Sequence, residues 1–121
     1  MTVLVEKSVT TLEDGIENLL ESAKTDYINR YGDDVNSDVA KTMIDRFNNS
    51  FVVKSGKKYI KIMCENGGSA WAFIVKDDTG KFKKGDILKC AGWNKPATNA
   101  PRGNVLDGMY QISWTGPLYL S

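Results

Sequence analysis

Histidine is absent from the 121 residues of this chain. Without an imidazole, Ser-His-Asp and Cys-His nucleophile activation, histidine-ligated zinc and any histidine acid–base step are excluded. Cysteine is scarce. Cys64 and Cys90 are the two in the chain, too few for a structural zinc site, which wants four soft ligands. Both fall in apolar strand-like runs, Ile62-Met63-Cys64 and Leu88-Lys89-Cys90, and are expected as buried free thiols. Neither a Gly-x-x-x-x-Gly-Lys-Ser/Thr loop nor a Gly-x-Gly-x-x-Gly stretch occurs. Long hydrophobic runs are missing too, with nothing near the roughly 20 apolar residues of a membrane span. The start, Met1-Thr2-Val3-Leu4-Val5-Glu6, has neither the basic flank nor the apolar core of a secretory leader. The expectation is a soluble cytoplasmic protein with no cofactor, no metal and no membrane partner, in which carboxylate-only chemistry is the enzymatic option left.

What is present is an ordinary globular composition, 41% hydrophobic and 26% charged in 13.4 kDa, the size of one domain. The formal net charge is +1, but the sign is unevenly placed. Residues 1–50 carry five Lys and Arg against ten Asp and Glu, and residues 51–121 carry eleven against five. Such asymmetry points to a polyanionic partner for the basic half, or to an acidic half lying beside it and neutralising its field.

Periodicity divides the chain at the same place. Leu12, Ile16, Leu19, Leu20, Ala23, Tyr27 and Tyr31 form one helical stripe, with Thr11 as its cap, Glu13 and Asp14 in its first turn and Gly32 as its stop. Gly15 inside that pattern costs about 1 kcal/mol relative to alanine, so the first turn is expected to fray. A second helix is expected after Asn36 or Ser37, with Val39, Ala40, Met43, Ile44 and Phe47 on one face. From Phe51 the pattern turns to β. Tyr59, Lys61 and Met63 alternate with Ile60, Ile62 and Cys64. Glu65-Asn66-Gly67-Gly68 is a hairpin signal, Ser69 to Lys76 is the return strand, and Ile87 to Ala91 is another. Strand character resumes at Val105-Leu106 and Tyr110–Trp114, and the apolar end Gly116–Leu120 is expected to dock. The fold expected is α+β: two N-terminal helices (1–50, acidic) packed on a twisted antiparallel sheet of four to five strands (51–121, basic), with a curl toward a barrel left open.

Three surfaces are candidates for function. The 92–104 loop gathers Trp93, Lys95, Asn99, Arg102 and Asn104, groups that bind anions and stack on rings, although the same residues serve equally as a rigid connector. On the sheet, Trp71 and Phe73 stand two apart and are expected to share a strand face, with Lys58 and Lys61 nearby. That arrangement suits stacking and phosphate contact in a single-stranded nucleic-acid binder, or else marks where the helices dock. Asp77, Asp78, Asp86 and Asp107 sit in turn signals, where aspartate caps backbone locally.

Several strings in the second half carry a resemblance: Lys58-Tyr59-Ile60-Lys61-Ile62, Lys83-Lys84-Gly85-Asp86-Ile87-Leu88-Lys89, Gly92-Trp93-Asn94-Lys95-Pro96-Ala97, Pro101-Arg102-Gly103-Asn104 and Trp114-Thr115-Gly116-Pro117-Leu118-Tyr119-Leu120. Over residues 54–120 the chain resembles a set of small tailed-bacteriophage proteins with no assigned activity. The resemblance implies expression in an infected bacterial cytoplasm and carries no site residue with it. The function expected is that of a non-enzymatic accessory protein meeting a protein partner, or a second copy of itself, through the 92–104 loop. The alternative is a single-stranded nucleic-acid-binding module.

Overall fold

The apolar stripe beginning at Leu12 folds as α1, Leu12–Asn29. Thr11 Oγ1 accepts the Asp14 N–H at 3.2 Å, and Glu13 and Asp14 sit at the positive end of the helix dipole. In the computed structural model of the chain, residues 2–118 are described. A 3₁₀ turn over Gly32–Asn36 leads into α2, Asp38–Asn48, whose cap Ser37 accepts the Ala40 N–H at 3.1 Å.

Eight short strands follow the β chemistry: β1 (Val3–Val5), β2 (Val52–Ser55), β3 (Tyr59–Cys64), β4 (Ser69–Val75), β5 (Ile87–Leu88), β6 (Cys90–Gly92), β7 (Lys95–Pro96) and β8 (Tyr110–Ile112). The fold is α+β. β2-β3-β4-β5 form a four-stranded antiparallel sheet, β1 pairs with β8, and β6 pairs with β7 as a small hairpin. The described strands close no barrel. Asn66 and Gly67 both take positive φ (57° and 92°) in the β3–β4 turn, as an Asn-Gly hairpin requires.

Three features depart from expectation. Residues 3–5, in the half expected to be helical, form a strand, because Val3 and Val5 supply an apolar edge that Ile112 and Tyr110 need. Residues 105 and 106 make a turn rather than a strand, while residues 102–105 run antiparallel to β5 through Arg102 N–H to Ile87 O (2.8 Å), Ile87 N–H to Gly103 O (2.9 Å) and Val105 N–H to Gly85 O (2.9 Å). The two helices are also unequal. α1 buries Ile16, Leu19 and Ala23 against Ile62, Ala72, Ile74 and Ile87, whereas α2 fully buries Ala40 alone and reaches the body through Phe47. That ring stacks on Tyr27 at 4.2 Å and meets Phe51 edge-on at 5.1 Å. Of the apolar end, Gly116 and Pro117 are buried, and Tyr119 and Leu120 lie outside the described residues.

The pairing of β3 with β4 is interrupted once. Ile62 faces Ala72 and Met63 faces Ala70, so Trp71 has no partner and forms a β-bulge. The extra residue turns the Trp71 ring to the helix side, where it joins Ile16, Leu19 and Ile74 and lies edge-on to Phe51 at 5.2 Å. Phe73 stays on the opposite side with Val75, Phe82 and Leu88. The expectation that Trp71 and Phe73 share a face is therefore corrected.

Gly15 proves to be a requirement of packing rather than a weak point. A Cβ there would stand 2.7 Å from Val105 O and 2.8 Å from Val105 Cβ, so α1 lies on the 105 turn more closely than any other residue allows. Gly15→Ala should lower stability by about 1–2 kcal/mol despite its gain in helix propensity, seen as an earlier urea midpoint at unchanged slope. A midpoint at or above the parent's would contradict that contact.

Candidate nucleic-acid interface

The side of the sheet away from α1 carries the lysines. Antiparallel pairing sets residues opposite one another on a common face, and the register places Lys54 opposite Lys61, Lys61 opposite Phe73 and Phe73 opposite Leu88. One row thus starts in charge at the edge and ends in the buried cluster of Phe73, Val75, Phe82 and Leu88. Tyr59, next along β3, lays its ring edge-on over Phe73 at 5.9 Å. Like charges directly opposite each other destabilise a sheet, and among the described residues no carboxylate pairs with either to offset the cost. Among the described residues, ion pairs join Lys24 to Glu21 and Lys83 to Asp107, and none reaches Lys54, Lys57, Lys58 or Lys61.

The β6–β7 hairpin closes one end of this row. Trp93 and Asn94 are its two tip residues, beyond the Gly92–Lys95 pair. Trp93 is 48% exposed. Lys61 Nζ stands 3.5 Å from the Trp93 ring centroid and donates to Asn94 Oδ1 at 2.9 Å, a cation–π contact that holds the indole over the sheet. A groove of about 360 Å³ results, floored by Met63 and Phe73, walled by Tyr59 and Trp93, and rimmed by Lys54, Lys57, Lys58 and Lys61. Among the described residues no carboxylate lines it, and no residue of α1 or α2 does. The acidic α1 lies across the sheet from the basic groove, so it does not cover it.

The residues expected at a site separate into two groups. Lys58, Lys61 and Trp93 come together in the groove. Trp71 and Phe73 are 5% and 4% exposed, so neither is a stacking platform: the bulge puts Trp71 under α1, where its Nε1–H donates to Trp114 O at 3.0 Å, and Tyr59 covers Phe73. Asn94 joins Lys58, Lys61 and Trp93 from the 92–104 loop, and Lys54, Lys57 and Tyr59 belong to the groove although they were not expected there. The alternation in Lys58-Tyr59-Ile60-Lys61 is the signal that could have found Tyr59.

The rest of the 92–104 loop is a connector. Arg102 donates to Leu118 O (2.9 Å), Ala100 O (3.2 Å) and Asn99 Oδ1 (2.9 Å). Asn99 Oδ1 also accepts the Ala100 N–H. Asn104, buried, donates to Asp86 Oδ1 and Lys84 O and accepts from the Leu106 and Asp107 N–H groups. Lys95 is exposed on β7, outside the groove lining. Lys89 donates to Pro117 O at 2.7 Å, and burial followed by the charge of Arg102 pushes its ammonium below the ordinary lysine range. These cations are spent on backbone carbonyls near the chain's end.

The remaining candidate aspartates and the two cysteines lie outside the groove. Asp86 accepts the Lys83 N–H and Asp78 accepts the Lys84 N–H, both local turn duties. Cys64 and Cys90 are free and half-buried, and burial pushes both thiols up, away from the reactive thiolate. No group of three metal-ligating side chains occurs among the described residues, and no described helix is long and apolar enough to cross a membrane.

Set beside known proteins, residues 4–120 match a family of unknown function, DUF7717. The chain belongs to that family. No curated protein and no solved structure matches it.

Arg102→Ala should lower stability by about 2 kcal/mol, the scale of lost hydrogen bonds to a charged donor, while Lys95→Ala leaves it unchanged. Thermal melts of the two variants decide the matter. Equal melting points would mean that the loop is not tied down through Arg102.

Proposed function

We propose that the protein is a non-enzymatic single-stranded nucleic-acid-binding module acting through the Lys54–Lys61–Trp93 groove. The observation that carries this is the row of unneutralised lysines lying against an exposed indole. Phosphates would meet Lys54, Lys57, Lys58 and Lys61 on the rim, and a base would stack on Trp93, which every base can do through its π-face. Single strands suit such a groove because their bases are already unstacked. Lys61 would then move from the indole to a phosphate, a stronger partner than the ring face it leaves.

A protein partner met by the whole 92–104 loop has less support, since Asn99, Arg102 and Asn104 are engaged within the protein itself. The resemblance to small tailed-phage proteins supports placing the nucleic acid in an infected bacterial cell.

Titration with a thymidylate oligonucleotide should quench tryptophan emission, because Trp93 is the most exposed of the three indoles named above. With three or four phosphates neutralised, log K should fall against log salt with a slope of about −2 to −3. Trp93→Ala should weaken binding by about 1–3 kcal/mol without changing the melting temperature. No quenching and no binding at low salt would overturn the assignment.

A further inference from the structure

The groove does not end at Tyr59. A second cleft of about 350 Å³ opens on the other side of that ring, lined by Val75, Asp77, Thr79, Lys81 and Phe82, and it shares Lys57, Lys58 and Tyr59 with the first. The two clefts are therefore one trough divided by the Tyr59 ridge, with Lys57 and Lys58 flanking the divide. The far cleft has its own charge, and it is floored by Phe82, which at 6% exposure is no more a stacking platform than Phe73. The Lys81 ammonium stands 5.5 Å from the Phe82 centroid, and no ion pair reaches it among the described residues. Unlike the first cleft it is lined by a carboxylate, that of Asp77, and by no exposed indole.

Given the groove assigned above, on which this rests, we infer that the ligand is a strand of at least two nucleotides that crosses Tyr59. One base stacks on Trp93, the linking phosphate sits at Lys57 and Lys58, and the next base enters the far cleft. Asp77 sets the orientation there. A carboxylate repels a phosphate and accepts from the N–H groups of a base edge, as acidic side chains do from cytosine. The base of the second nucleotide therefore turns inward toward Asp77, and its phosphate turns outward to Lys81. A mononucleotide fills half of the trough and forgoes the linking phosphate.

The test compares a cytidine mononucleotide, the dinucleotide and an octamer on the intact protein by fluorescence titration at low salt. The dinucleotide should bind about tenfold or more tightly than the mononucleotide, the gain of one further base laid against half-buried Tyr59 and one further phosphate. Lys81→Gln, an exposed substitution, should weaken the dinucleotide and octamer several-fold and leave the mononucleotide unchanged, whereas Lys54→Gln weakens all three. Equal affinity for the mononucleotide and the dinucleotide would overturn the crossing while leaving the first cleft as a site. So would a Lys81→Gln variant that binds the octamer as the parent does. Failure of all three ligands to bind would overturn the groove itself, and the crossing with it.

Discussion

The structure depends on one unpaired residue in the middle of β4. A strand without the bulge at Trp71 would show its alternate side chains, Trp71 and Phe73, to the same side. One of the two apolar clusters would lose its large ring. With the bulge, Trp71 closes the cluster under α1, and Phe73 anchors the smaller one on the far side. Its indole N–H also reaches Trp114 O, and the Trp114 N–H in turn donates to buried Asp26 Oδ2 at 2.9 Å. β4, α1 and the turn after β8 are thereby joined at one point.

The same division separates the charges. α1 must lie on the face that carries Trp71, Ile62 and Ile74, so its acidic side chains emerge on that side of the sheet. The lysines of β2, β3 and the turn between them emerge on the other. Neutralisation of the basic half by the acidic half is thus hindered by geometry, and ionic screening over about 8 Å weakens what attraction remains across the sheet. A basic face that is not neutralised by its own chain is available to an external anion. The hairpin tip at Trp93 adds to that face the ring that makes it more than a charged surface.

Much of the scaffold was legible in the residues. α1 announced itself through a stripe of seven apolar positions and a capping threonine, and the β3–β4 hairpin through Asn66-Gly67, because both signals are local. The faces of β3 were readable through Cys64 for the same reason. The bulge was not, since it arises from how two strands pair and leaves no mark on either strand alone. β1 escaped notice because three residues are too short for a period to show. The 92–104 segment held the right residue types for binding throughout, and chemistry alone could not distinguish a guanidinium aimed at a ligand from one aimed at Leu118 O. Trp93 and Lys61 were each visible as candidates, but their meeting over a common groove required the β6–β7 hairpin, whose tip carries one to the other.

The claim that binding belongs to one face of a divided sheet is tested most directly by amide chemical-shift mapping. Isotope-labelled protein titrated with a thymidylate oligonucleotide should show shifts confined to residues 54–63, Phe73, residues 75–82 and the Trp93–Asn94 tip, with α1, α2 and residues 98–104 unmoved. Shifts centred on the helices or on the Arg102 connector, or none at all, would contradict it.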